Sequence, residues 1–263
     1  MTTPIWQVDA FTDAPFRGNP AAVCVLDGPR TEAWMQGVAA EMNLSETAFL
    51  VPRDDGGYQL RWFTPACEVR LCGHATLASA HVLWSEGFVE PAATIAFHTI
   101  HSGVLTAVRR GDRIELDFPA RTPEEVSPPD GLADALGLEP RFVARAVDDY
   151  VVLADDETKV RALRPDFPKL RRVAARGVIV TAPGTDFDFV SRFFGPAVGV
   201  DEDPVTGSAH CCLAPFWADR LGRTSMVGYQ ASSRGGIVAV TLAGDRVKLA
   251  GPAVTVLRGE LLV

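Results

Sequence analysis

FTPACEVRLCGHATLASAHVLWSEG, residues 63–87, and FGPAVGVDEDPVTGSAHCCLAPFWADRLG, residues 194–222, follow one plan about half the chain apart. Each opens on Phe-x-Pro-Ala, runs to a glycine (Gly73, Gly207), and continues as an Ala-rich apolar stretch that ends at another glycine (Gly87, Gly222). A glycine closing an apolar run of helical length reads as a helix stop. Each match is weak alone, but their shared order and spacing indicate an internal duplication.

Outward from these stretches, Ala21–Asp27, Glu46–Val51, Tyr58–Thr64 and Arg113–Phe118 read as strands, because β-branched and aromatic residues cluster there between turn formers. Thr31–Met42 reads as a helix with Thr31 as cap and Trp34, Val38 and Met42 along one face. The order lacks the regular strand–helix alternation of a parallel sheet, so the expected class is α+β. PARTPEEVSPP, residues 119–129, holds four prolines and no apolar period, which suits an exposed connection. Two duplicated domains are expected, 1–118 and 130–263, with the last strands free to pack on the first.

The 263 residues allow one large or two medium domains, and 47% hydrophobic residues suffice for a substantial core. With 25 basic against 33 acidic residues and a net charge of -8, there is no basic stripe to suit nucleic acid. No stretch approaches the about 20 apolar residues of a membrane span, and the N-terminus has no signal-like pattern, so a cytoplasmic protein is expected. The five cysteines are odd in number and none falls in a C-x-x-C pair, so reduced thiols are expected.

A glycine at a helix start lets backbone N–H groups approach an anion, and the first turn adds unsatisfied donors and the positive end of the helix dipole. Gly73-His74 and Gly207-Ser208 are candidates for such seats, or simply tight strand-to-helix turns. Asp201-Glu202-Asp203 precedes Pro204, which pushes Asp203 toward an extended conformation; the cluster is either a functional carboxylate group or a solvated acidic turn. Glu46 opens a strongly apolar strand, at an exposed rim or in a pocket where desolvation would raise its pKa toward that of a working acid/base. His98 and His101 stand three apart on a strand-like segment and face opposite ways. His81 reads as a packing residue, and the consecutive His210, Cys211 and Cys212 fan out around a helix. No metal is expected. The sequence lacks G-x-G-x-x-G, G-x-x-x-x-G-K-[ST] and G-x-S-x-G, which removes the usual warrants for dinucleotide, nucleotide and serine-hydrolase chemistry.

QVDAFTDAPFRGNPAAVCVL (7–26), NLSETAFLV (43–51), FTPACEVRLCGHATLASAHVLW (63–84), VDEDPVTGSAHCCLAPFWADRLG (200–222) and QASSRGG (230–236) together resemble the phenazine-biosynthesis PhzF-like isomerase family, which shares its fold with diaminopimelate epimerase and proline racemase. The resemblance implies two similar domains, each a curved, mostly antiparallel sheet around a central helix, with the active site in the cleft between them. It further implies a cofactor-independent isomerase and a homodimer. Glu46 would transfer the proton. Gly73, His74, Asp203, Gly207 and Ser208 would hold and polarise a small carboxylate or amino-acid substrate, His74 also being a candidate for proton transfer. In the related racemases a cysteine precedes each of the two glycines; here the positions hold Cys72 and Thr206. A threonine hydroxyl is far too weak a base for that task, which favours one-base transfer through Glu46, as in trans-2,3-dihydro-3-hydroxyanthranilate isomerisation. The alternatives are an amino-acid racemase or epimerase using Cys72, and a small-molecule binding protein without turnover.

Overall fold

The strand-like segments form sheet and both Ala-rich stretches form buried helices in the computed structural model, which describes residues 2–263. The chain divides into two compact units. The first ends at Phe118 and is completed by Ala250–Val263; the second is Pro119–Leu249.

Unit 1 contains β1 (Thr3–Ala10), β2 (Asn19–Val25), α1 (Glu32–Met42), β3 (Glu46–Pro52), β4 (Tyr58–Phe63), β5 (Glu68–Val69), α2 (Gly73–Ser85), β6 (Ile95–His98), β7 (Val104–Arg110), β8 (Arg113–Pro119) and the chain's last strand, Ala253–Leu261. β1 lies antiparallel to both β2 and the last strand. β2 runs parallel to β3, β3 antiparallel to β4, β4 antiparallel to β5 and parallel to β6, and β6, β7 and β8 continue antiparallel. α2 packs on β1, β2, β3 and the last strand. It is buried on nearly every side, from His74 through Trp84, as a helix at the centre of a unit must be. Its hydroxyls stay satisfied because Thr76 Oγ1 and Ser79 Oγ donate to the carbonyls of Cys72 and Ala75, at 2.6 and 2.7 Å.

Unit 2 contains β9 (Glu124–Glu125), α3 (Leu132–Leu136), β10 (Phe142–Ala146), β11 (Asp149–Leu153), α4 (Glu157–Ala162), α5 (Phe167–Leu170), β12 (Gly177–Pro183), β13 (Phe189–Gly195), β14 (Val200–Asp203), α6 (Gly207–Leu221), β15 (Ser225–Gln230), β16 (Gly236–Ala243) and β17 (Arg246–Gly251). Its pairing repeats that of unit 1. β10 is antiparallel to β11, β11 parallel to β12, β12 antiparallel to β13, β13 antiparallel to β14 and parallel to β15, and β15 antiparallel to β16. α6 takes the role of α2, packed on β15 and β16 and buried from Ala209 through Trp217.

The structure moves the domain limits. The last strand belongs to unit 1 through eight-residue pairing with β1, so the second unit ends at Leu249 and not at 263. The proline-rich segment 119–129 is part of unit 2 and not a free connection. Pro215 lies inside α6 and cannot donate to the carbonyl four residues back; the Arg121 N–H fills that gap, donating to Cys211 O at 3.0 Å. Ala120 N–H donates to Asp245 O, and β9 pairs with β10. α1 is capped as its sequence predicts, Thr31 Oγ1 accepting from Trp34 N at 3.2 Å, but its buried line is Met35, Val38 and Ala39, with Trp34 and Met42 only partly covered.

Candidate active site

The turn between β1 and β2 places the first polar group. Gly18, at φ +63°, passes so close to the Ala10 carbonyl that any Cβ would clash, and the next residue, Asn19, opens β2 fully buried. β3 runs parallel to β2 with Ala21 opposite Glu46, which puts Glu46 at the β3 entrance with its side chain 18% exposed. Cys72 is the N-cap of α2 and His74 its second residue.

Three of these residues, Asn19, Cys72 and Glu46, converge on the His74 imidazole. Asn19 Nδ2 lies 3.1 Å from His74 Nδ1, Cys72 Sγ lies 3.5 Å from the same nitrogen, and Glu46 Oε2 lies 3.2 Å from Nε2. The Glu46 contact is close but off the hydrogen-bond line, since Nε2 has no aligned acceptor; it acts through charge. With the Asn19 amide donating to Nδ1, the neutral ring carries its proton on Nε2, facing Glu46. A half-turn of that amide presents Oδ1 instead and accommodates the doubly protonated ring.

Burial lowers the His74 pKa, but its contacts with Cys72 and Glu46 outweigh that and hold His74 well above the usual imidazole value. The Cys72 thiol is itself pushed up to about 11 by burial and by Glu46. It therefore keeps its proton at neutral pH, leaving Glu46 as the charge that faces the ring there. A buried group held away from its ordinary protonation is a candidate functional position.

Unit 2 builds its helix start differently. Thr206, the N-cap of α6, donates its hydroxyl to Asp203 Oδ2 at 2.5 Å. Gln230 locks the turn from β15: its Oε1 accepts from Thr206 N at 2.8 Å while its Nε2 donates to the Asp203 carbonyl at 2.7 Å. Ser208 Oγ accepts from Arg176 Nη2 at 3.0 Å. Arg176 is fastened by Nε to Asp149 Oδ1 at 2.9 Å and by Nη2 to the other oxygen of the same fully buried carboxylate. Neither N-cap side chain, Cys72 or Thr206, caps its own helix, whereas Thr31, Asp156 and Asp166 cap α1, α4 and α5. The first turns of α2 and α6 thus keep donors that the chain's own cap residues do not take.

The sequence-predicted residues fall into two groups. Gly73, His74 and Glu46 lie together in unit 1, and Asp203, Gly207 and Ser208 lie together in unit 2. Pattern alone missed Asn19, Arg176, Asp149 and Gln230; Asn19 and Gln230 stand inside quoted family blocks, which was the available signal. His81 donates to or accepts from Thr255 Oγ1 at 3.0 Å. Burial lowers the His210 pKa to about 4, its Nδ1–H donating to Thr206 O at 2.8 Å. Glu46, Cys72 and His74 have donor atoms within 4.8 Å of one another and are the cluster that could hold a metal among the described residues. Cys72 meets one ring nitrogen and Glu46 the other, so an ion seated on either nitrogen is turned away from one of the two partners. An open groove of about 470 Å³ lined by Glu125–Pro128 and Pro140–Val143 contains none of the candidate residues.

A sequence model described as phenazine biosynthesis-like protein matches residues 8–259. An uncharacterized isomerase of Halalkalibacterium halodurans is 55% identical over 266 residues, covering 100% of both chains. A phenazine biosynthesis-like domain-containing protein of Homo sapiens is 41% identical over 99% of both. Among solved structures, a phenazine biosynthesis protein of the PhzF family from Enterococcus faecalis superposes with a TM-score of 0.96 at 42% identity, over 100% of both chains. A hydroxyproline epimerase from Agrobacterium vitis shares the fold at a TM-score of 0.65 and 12% identity, over 99% of this chain and 92% of that one.

Proposed function

The chain belongs to the phenazine biosynthesis-like protein family, and we propose that it is an isomerase moving a proton between two carbons of a small cyclic or unsaturated amino acid, with Glu46 as the acid/base. The observation that carries this is the Glu46 carboxylate 3.2 Å from a buried imidazole whose other edge is held by Asn19. Glu46 takes the proton from one carbon as the double bond shifts, then returns it at another carbon of the conjugated system. The net result is a tautomer, with no change in oxidation state. His74, fixed in the first turn of α2, steadies the negative charge that develops on the substrate while the proton is on Glu46. The same assignment gives the substrate carboxylate to the amides at Gly73 and Gly207 and to Ser208, and its amino group to Asp203.

Two observations favour one-base transfer over two-base racemisation. Burial holds the Cys72 thiol near 11, and the Thr206 hydroxyl is committed as a donor to Asp203. The substrate of first choice is trans-2,3-dihydro-3-hydroxyanthranilate, with 3-hydroxyproline and proline as controls for epimerisation. The test is product identification by NMR and chiral chromatography. A ring tautomer from the first compound supports the proposal; inversion of proline or hydroxyproline without any tautomer would overturn it in favour of a racemase.

A further inference from the structure

Arg176 makes contacts that the isomerisation described above does not use. Its guanidinium forks onto Asp149, whose side chain is fully buried, and Nη2 also donates to Ser208 Oγ at 3.0 Å. A hydroxyl has one proton and two lone pairs, and a guanidinium has only donors. With Arg176 on one lone pair of Ser208, the hydroxyl proton must point away from it, and the adjacent positive charge strengthens that proton as a donor.

The duplication makes the placement more telling. Ala21 stands opposite Glu46 in unit 1, and Asp149 stands opposite Gly177 in unit 2. Arg176, just before Gly177, therefore corresponds to the position just before Glu46. In unit 1 the entering strand presents an acid to His74, the second residue of α2. In unit 2 the residue at the strand entrance presents a cation to Ser208, the second residue of α6. A cation beside a donor-rich helix start suits an anion.

We propose that Arg176, braced by Asp149, is a positioning residue that holds the Ser208 hydroxyl as a hydrogen-bond donor to a carboxylate oxygen of the substrate. This rests on the assignment of Ser208 to substrate binding. It gives Arg176 a role beyond an ion pair: Lys at this position would keep the charge beside Asp149 but lose the planar fork that serves Asp149 and Ser208 at once.

The test is a titration of the ¹⁵N-labelled full chain with anthranilate, and with aniline as the probe lacking a carboxylate. Anthranilate should move the Gly207 and Ser208 amide signals and aniline should not. Arg176→Lys and Ser208→Ala should each weaken anthranilate about tenfold, and the double variant should weaken it no further, because both remove one hydrogen bond. Unchanged affinity in Ser208→Ala, or losses that multiply in the double variant, would overturn the proposal, as would amide signals that ignore anthranilate in the wild type. Should Arg176→Lys not fold, Asp149→Asn, which loosens the brace on Arg176, takes its place: it should weaken anthranilate in the wild type but not further in Ser208→Ala, and unchanged affinity would overturn the proposal. Glu46→Gln separates the two ideas: anthranilate affinity retained in that variant, with no acid turned over by the wild type, would sink the proton-transfer assignment and leave the Arg176 role standing.

Discussion

The two units share one pairing diagram yet put different chemistry at the same strand entrance. At the entrance of β3 stands Glu46, against a buried histidine. At the entrance of β12 the register puts Gly177 in that place, where any Cβ would run into the Phe193 ring; the neighbouring Arg176 guanidinium lies 5.4 Å from the same ring. A side chain there, a second carboxylate included, would have to displace that ring. In sequence, Cys72 corresponds to Thr206 just ahead of the helix glycines, and His74 corresponds to Ser208 just after them. A duplicated scaffold thus fixes where groups can stand, while single exchanges put a carboxylate beside a histidine in one copy and a guanidinium beside a serine in the other.

The largest effect should come from removing the group that distinguishes unit 1. Glu46→Gln should lower turnover about a thousandfold, measured on whichever acid the wild type converts, while Ser208→Ala should cost only about tenfold and mainly in KM. Comparable losses in kcat from both changes would mean that the halves share the proton-transfer task.

The pH dependence of stability should separate the units by sign. His210, in α6, has its pKa lowered to about 4 by burial, so the unfolded chain takes up that proton first as pH falls. Its contribution should therefore be lost between the ordinary imidazole value and pH 4, by about 3 kcal/mol. His74 is shifted the other way: the folded chain holds that proton more tightly, so its contribution is present in acid and fades as pH rises through the raised value. Urea midpoints across pH for wild type, His210→Gln and His74→Gln would show the two slopes, and a common slope would contradict the assignment.

Gly177→Ala should destabilise by about 1–3 kcal/mol through overpacking against Phe193, read as a lowered urea midpoint. An unaffected midpoint would mean that the absence of an acid from unit 2 is not steric. The smallest effect is expected from Cys72→Ser, with activity within a few-fold of wild type. Alkylation at neutral pH should label exposed Cys67 and spare buried Cys72; loss of all activity on blocking Cys72 would restore the racemase alternative.

Much of this was legible in the sequence because the duplicated Gly-to-Gly stretches sit on central helices, and burying a helix on every side demands an apolar run that pattern reveals. Glu46 and His74 were found through short motifs, and their contact needed the fold. Asn19 was missed because its partner lies 55 residues away and joins it only through the packing of α2 on β2. Arg176 and Asp149 were missed for the same reason, each looking like one more charge on a chain rich in them. The proline-rich segment 119–129 misled because composition records its missing donors but not the Arg121 N–H that repairs α6 beside Pro215.

The central claim is that one carboxylate, in one of two similar halves, moves the proton. Proton NMR in heavy water, with dihydro-hydroxyanthranilate and a panel of small cyclic amino acids, tests it most directly. Deuterium should enter a substrate carbon with the wild type and with Cys72→Ser, and not with Glu46→Gln; exchange that persists in Glu46→Gln but disappears in Cys72→Ser would contradict it.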